Sequence, residues 1–325
     1  MTMKIQRIEI QNFRGFDHFT CDLTDPCLIV GNKGSGKTSL MEALAIAAGS
    51  LFLGFSDIPS RNIHKEDVRK CPVVISCQGI VNGQGISWKR TIEKENGRTT
   101  SVHAKEIEKI AQQLQQGIRK GEDIILPIVA YYSAKRWPSK KLKAIEANKP
   151  KSVILGNLNW FNPTKNHKQL WEWFKIMELI ARQEGQPWEV FMAVKEAIAD
   201  CSENIKDVVY DLRQEELLLK LENQEINFCD LDKQNRNLYN LLGMVADIAY
   251  RCAVLNPQLY EQATKQTPGV VLIDDLELRL DSALEKNIIN KLRQIFPMIQ
   301  FIGTTQSSLI IEGIETRQIV NLRSV

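Results

Sequence analysis

Disulfide frameworks and zinc sites are poorly supplied by this sequence. Its seven cysteines are odd in number, and none stands in a C-x-x-C pair. A reducing, cytoplasmic setting is therefore expected. Histidine is scarce as well: His18, His64, His103 and His167 are scattered, which argues against a His-rich nuclease or metal centre. No apolar run approaches the ~18 residues that cross a bilayer, so no membrane partner is expected. The opening residues, Met1 to Gln11, alternate as a strand does, unlike a signal peptide. Net charge is only +3, so no global field favours nucleic acid or a membrane surface. Repeats and low-complexity segments are missing too. What remains is a 325-residue chain, 43% apolar and 25% charged. That is the composition of a globular protein with room for a large core and one or two domains.

The most informative segment present is Gly31-Asn32-Lys33-Gly34-Ser35-Gly36-Lys37-Thr38, which fits G-x-x-x-x-G-K-[ST], the P-loop of nucleoside triphosphate sites. Its surroundings suit it. Cys27 to Val30 reads as a short buried strand, and Ser39 to Ala47 as the helix leaving the loop. Phosphate binding needs that order, because glycines let backbone N–H groups turn inward and the helix N-terminus adds partial positive charge. Asn32 to Ser39 are thus the candidate phosphate-binding residues. Lys37 is expected to reach the β- and γ-phosphates, and the Thr38 hydroxyl to ligate Mg²⁺.

Elsewhere the pattern predicts a β-hairpin over residues 3–10 and 17–23, with Asn12-Phe13-Arg14-Gly15-Phe16 at its turn. A second hairpin surrounds Asn82-Gly83. Residues 50–70 read as loop, and Glu106 to Lys120 as helix. Ile124 to Tyr132 reads as a buried strand in which Pro127 marks an edge or bulge. Residues 135–151 carry seven lysines and arginines, from Lys135 to Lys151. They read as a solvated loop or as a surface for a phosphate backbone. Residues 168–200 are helical and aromatic; Trp171, Trp173, Phe174, Trp188 and Phe191 suit a packing stripe better than a base-stacking platform. Two strands are expected between Val208 and Leu221, and a long apolar helix over 237–254. Ser282 to Ile295 reads as a further helix, and strands are expected at Ile299–Thr304 and Gln318–Asn321.

Val270-Val271-Leu272-Ile273-Asp274-Asp275 has the form of a Walker B strand, with acids following four apolar residues. Asp274 is expected to hold Mg²⁺ through water and to position Thr38. Asp275 occupies the place from which a glutamate polarises the attacking water, and it is one methylene shorter. Either acid alone could instead cap the helix that follows. More than two hundred residues separate Lys37 from Asp274, far more than in small kinases and GTPases. Such a gap suits a head in which two lobes flank a helical insertion.

Several segments together resemble the SMC/RecF-like ATPases of the ABC class. The likeness is greatest to the stand-alone ATPases of bacterial antiphage systems: the Septu ATPase, often encoded with retrons, and the ATPase half of the OLD nucleases. Ile8 to Phe16 resembles the I-x-N-F-[RK]-x-F entry, and Leu126 to Tyr132 the L-P-x-x-A-Y-Y strand. Asn237 to Pro257 is similar to the helix after the ABC signature. Gly269 to Leu280 resembles G-V-V-L-I-D-E-[IL]-[ED]-L-H-L, and Phe296 to Ser308 resembles F-P-x-I-Q-F-I-V-T-T-H-S-P. The resemblance implies an α/β P-loop NTPase of the ABC/SMC-head type, with a central, mostly parallel sheet, an antiparallel β lobe and a helical insertion. It implies an N-terminal ATPase lobe over 1–134, the basic loop and insertion over 135–225, and a C-terminal lobe over 226–325. It also places Arg14 among the nucleotide-binding residues and Gln306 at the switch position.

The departures bear on chemistry. Where the family's signature runs roughly L-S-D-G-Q-R, this chain has Leu231-Asp232-Lys233-Gln234-Asn235-Arg236. The resemblance places Asp232 where a serine binds a γ-phosphate across a dimer interface, and a carboxylate there repels. The switch histidine is Gln306, whose amide hydrogen-bonds but carries no charge. The expected function is Mg²⁺–ATP binding with slow or lost hydrolysis. It would serve a regulatory or scaffolding subunit of an antiphage complex that assembles with itself and with a separate effector, a nuclease or other toxin. The competing function is an active SMC/RecF-like ATPase for DNA repair or chromosome maintenance. Only four residues follow Asn321, so the C-terminal TOPRIM nuclease domain of the OLD proteins is not expected here.

Overall fold

The computed structural model describes residues 2–134, 152–277, 280 and 282–322. The basic stretch 135–151 singled out above lies outside them. β1 (Met3–Phe13) and β2 (Phe16–Asp22) form the first hairpin, with Phe13 opposite Phe16 across the turn. β3 (Cys27–Val30) enters the glycine loop and α1 (Lys37–Ala48) leaves it. A 3-10 turn over Gly49–Gly54 extends α1 into a stretch that reads as loop. β4 (Val73–Val81) and β5 (Gln84–Ile92) pair around Asn82-Gly83, both at positive φ, as a two-residue hairpin requires. The order β2-β1-β4-β5 makes one four-stranded antiparallel sheet. Its inner face packs on α1, and Trp88 donates its indole N–H to the Ala47 carbonyl. α2 (Lys105–Arg119) covers the end of this lobe.

β6 (Ile128–Tyr132) starts just after Pro127. α3 (His167–Glu184) and α4 (Glu189–Ala199) follow, then β7 (Ile205–Asp211), β8 (Glu216–Leu221) and β9 (Glu225–Asn227). Those three strands form a small antiparallel sheet of their own. α5 (Phe228–Gln234) is a short helix, α6 (Arg236–Leu255) a long one, and α7 (Ala263–Gln266) a single turn. β10 (Gly269–Ile273), α8 (Ser282–Ile295), β11 (Ile299–Thr305), α9 (Ser308–Glu312) and β12 (Ile319–Asn321) complete the chain. The order β12-β3-β11-β10-β6 gives a five-stranded sheet in which every pairing is parallel. Its strands are the near-continuous apolar runs that a sheet covered on both faces demands.

β6 is the outer strand of that sheet, as Pro127 foretells. Side-chain amides close its free edge. Asn157 accepts from the Val129 N–H and donates to the Pro127 carbonyl, while Asn256 does the same for both backbone groups of Leu126. The two sheets are joined by Gln300, buried on β11. Its amide accepts from the Ile5 N–H and donates to the carbonyls of Ile5 and Thr24. This occurs where the β1–β4 register shifts between Ile5 and Arg7. The aromatic residues of α3 and α4 are mostly packing groups. Trp173 meets Phe174, Phe191 and Tyr250 edge-on, and Trp171 meets Phe228. Trp188 differs, at 42% exposed. α6 alone among the described helices is long and apolar enough to cross a membrane, and 94% of its apolar window is buried in the protein itself.

Candidate nucleotide site

The glycine loop takes the conformation its sequence allows. Gly34 and Gly36 lie at φ of 86° and 91°, where a side chain is strained. Gly36 has a second constraint: a Cβ there would stand 2.9 Å from the Phe16 ring. The first hairpin therefore packs directly on the loop, and the two Phe residues of the opening motif do different work. Phe13 is core, whereas Phe16 seats the third loop glycine. Gly36 is also the N-cap of α1 and offers no side-chain cap, so the first-turn N–H groups face the loop. Asn32, Lys33 and Gly34 are exposed, Ser39 is half-buried, and Ser35 is buried with no hydrogen-bond partner for its hydroxyl. The Lys37 ammonium, on a residue only 7% exposed, lies against the loop's own carbonyls, Gly31 at 2.6 Å and Asn32 at 3.1 Å.

The end of β10 faces this loop. Thr38 donates its hydroxyl hydrogen to Asp274 Oδ2 at 2.9 Å, across 236 positions of sequence. Asp274 is 1% exposed, and its other oxygen accepts from Thr304 Oγ1 at 2.7 Å. Thr304, on β11, is a residue that sequence reasoning passed over; its signal was its place two positions before Gln306. The Asp275 N–H donates to the same Thr304 oxygen at 2.8 Å, with Asp275 at a left-handed φ of 55°. Gln306 is exposed, and its backbone N–H is held by Glu277 Oε1 at 2.8 Å. The structure thus gathers Lys37, Thr38, Asp274, Asp275 and Gln306 at one end of the parallel sheet.

Arg14 stands at the edge of this group, inside a four-charge network. Its Nε donates to Asp67 Oδ1 at 2.8 Å and its Nη2 lies 3.0 Å from Glu42 Oε2. Arg61 meets the same Glu42 oxygen at 2.9 Å and stacks on Phe161. Burial alone would lower the Arg14 pKa, but the Asp67 hydrogen bond and the charges of Glu42 and Asp67 outweigh it and raise it. Glu42 lies one turn beyond Thr38 on α1, so the network ties the antiparallel lobe to the phosphate helix. Arg61 and Asp67 sit in the stretch read as loop, where nothing local marks them. Tyr131 borders both groups: burial first, then the charges of Asp274 and Glu42, push its phenol well above the ordinary value, so it stays a neutral hydroxyl.

The signature-like segment differs from the expectation. Asp232 lies inside α5, and its carboxylate pairs with Arg236 at 3.2 Å. Asn235 is the residue that caps α6, accepting from the Leu238 N–H at 3.0 Å. A separate short helix before the cap moves the helix N-terminus three positions past Asp232, and Arg236 offsets that carboxylate's charge.

The residues present fit a triphosphate and a divalent metal. They provide uncapped helix amides, a buried ammonium, an unpartnered buried hydroxyl at Ser35, and an acid already joined to the Thr38 hydroxyl. Comparisons with known proteins agree. Residues 7–245 match the family model described as an AAA domain. The Retron Vc95 probable ATPase of Vibrio cholerae serotype O1 biovar El Tor is 25% identical over 379 aligned residues, covering 98% of this chain and 73% of that protein. The Retron Ec83 probable ATPase of Escherichia coli is 21% identical, with 99% and 72% covered. Among solved structures, an SMC head bound to the C-winged helix domain of ScpA superposes with a TM-score of 0.55 at 14% identity, covering 98% of this chain and 95% of that one. An SMC head with an extended coiled coil, bound to the C-terminal domain of ScpA derived from Pyrococcus furiosus, superposes at 0.53 and 12% identity, with 99% and 94% covered. The fold is that of SMC heads.

Proposed function

The chain belongs to the AAA domain family, and from that premise we propose that it binds Mg²⁺–ATP and uses the bound state to control an assembly. The observation that carries this reading is the Thr38–Asp274 hydrogen bond, which closes the phosphate loop onto the acid at the end of β10. Lys37 would leave the Gly31 and Asn32 carbonyls for the β- and γ-phosphates. The amides from Gly34 to Ser39 would surround the phosphate oxygens. Thr38 and Asp274 would hold the metal, Thr38 directly and Asp274 through water. A Mg²⁺ held by these two residues would neutralise phosphate charge.

Hydrolysis is proposed to be slow. Asp275 is one methylene short of the usual base, and the uncharged amide of Gln306 replaces a histidine. A pocket that binds well and turns over slowly suits holding a conformation, since a ligand shifts an equilibrium only through differential affinity for two states. The two retron probable ATPases support placing the chain in a retron-type antiphage system of the cytoplasm, as a regulatory or scaffolding subunit. It would assemble with further copies of itself and with a separate effector, a nuclease or other toxin. The segment 135–151 is a candidate for nucleic-acid or acidic-partner contact. Titration calorimetry tests the core of this reading: ATP with Mg²⁺ should bind the native chain and fail to bind Lys37→Ala. Equal affinity in the two proteins would sink it.

A further inference from the structure

We propose that Thr304 is a positioning residue of this site, setting the direction of the metal-holding acid and tying it to the switch strand. The inference rests on the Mg²⁺–ATP reading above and deepens it. One hydroxyl carries two bonds: its hydrogen goes to Asp274 Oδ1, and its oxygen accepts the Asp275 N–H. A threonine hydroxyl has a single hydrogen to give, so this arrangement commits it fully. The Thr304 carbonyl adds a third bond, accepting the Leu276 N–H at 2.9 Å. Thr304 therefore contacts three successive residues of the turn after β10.

Each bond has a consequence for the site. With Oδ1 held by Thr304, the carboxylate of Asp274 cannot rotate without breaking a buried bond, and Oδ2 stays on Thr38. Asp275 occupies a left-handed conformation that a side-chain-bearing residue rarely adopts. Its N–H bond to Thr304 is one of the contacts that hold that backbone conformation. Gln306 follows Thr304 by two residues, and its own N–H is anchored on Glu277 in the same turn. Movement of Gln306 toward a γ-phosphate would accordingly pull on Asp274 and Asp275 through the Thr304 hydroxyl. Its neighbour Thr305 is equally buried but turns its hydroxyl to the Ser307 N–H, so it serves as a control.

The test is nucleotide affinity measured twice, once with Mg²⁺ and once with EDTA, on the full chain, alongside thermal melts without nucleotide. Thr304→Val keeps the shape and removes the hydroxyl. Its affinity should fall about tenfold or more in Mg²⁺, the size of a lost hydrogen bond to a buried charge, and should match the native protein in EDTA. Thr304→Ser keeps the hydroxyl and should retain the Mg²⁺-dependent gain, as should Thr305→Val. Three results would each overturn the assignment: a native Mg²⁺ response in Thr304→Val, an equal loss in Mg²⁺ and EDTA, or a Thr304→Ser protein that folds yet loses the gain. Failure of the native chain to bind ATP at all is a different outcome and overturns the Mg²⁺–ATP reading itself.

Discussion

Arg251 and Asp247 form an ion pair at 2.7 Å in the middle of α6, with both side chains fully buried. Asp247 also accepts from the Tyr132 hydroxyl at 2.6 Å, and Arg251 donates to the carbonyls of Gly156 and Leu158. The Tyr132 carbonyl in turn accepts the Asp274 N–H. The pair thus joins α6, β6 and the end of the 3-10 turn Val153–Asn157 beside the candidate nucleotide site. Burial and the Asp247 charge push the Tyr132 phenol far above its ordinary value, so it remains a donor at every working pH.

Removing one partner should therefore be costly. Asp247→Ala leaves the Arg251 guanidinium buried without its carboxylate, and such a change costs about 3–5 kcal/mol. Tyr132→Phe leaves the ion pair in place and should cost only about 1–3 kcal/mol, since the pair still satisfies much of the site. Urea denaturation of both variants checks the order. If Asp247→Ala were as stable as the native chain, the pair would have no structural weight.

Loss of a well-placed base costs about 10²–10⁴-fold, and the median enzyme turns over at about 10 s⁻¹. Steady-state hydrolysis by the purified chain should lie well below about 1 s⁻¹. Asp275→Glu alone should not restore full activity, because Gln306 still lacks a charge. Phosphate release from native, Asp275→Glu and doubly substituted Asp275→Glu/Gln306→His proteins orders these contributions. Turnover of several per second by the native chain contradicts the argument.

Stability should also depend on His167. The residue is 2% exposed, stacks on Trp171 at 4.7 Å, and burial pushes its pKa down from 6.5 to about 4. Between those values the unfolded chain takes up a proton that the folded chain refuses. Stability is then complete above pH 6.5 and declines as pH falls toward 4, by about 3 kcal/mol from this group. His167→Gln should flatten that slope between pH 6.5 and 4. Parallel pH profiles for the two proteins would remove His167 as the cause.

Much of this architecture was legible where one chemical need dominates a short stretch. Alternation and Asn82-Gly83 mark both hairpins, and four apolar residues before two acids mark β10. The phosphate loop carries Gly34 and Gly36 where positive φ requires them. Legibility ends where partners come from different elements. Thr304 is one more threonine in a strand until β10 is seen beside it, and Arg61 and Asp67 look like loop charges until Glu42 and Arg14 face them. The break between α5 and α6 rests on one local cap, Asn235. Periodicity over 228–255 does not reveal that cap.

The candidate nucleotide site holds one acid, Asp274, on both Thr38 and Thr304. A site that binds and turns over slowly would do work by changing which surfaces the chain presents, with any toxic step expected of another polypeptide. An assembly closed symmetrically by the signature-like segment is not expected, since α6 is capped by Asn235 and the Asp232 carboxylate, already paired with Arg236, has no hydrogen-bond donor to offer a second γ-phosphate. Mg²⁺–ATP should therefore shift the oligomeric state or partner affinity of the native chain, and leave Lys37→Ala unmoved. The chain alone should leave DNA, RNA, tRNA and NAD intact. Light scattering with and without nucleotide reads the first effect, and incubation with each substrate reads the second. Degradation of any of the four that disappears in an Asp274→Ala protein would show that the effector chemistry resides in this chain.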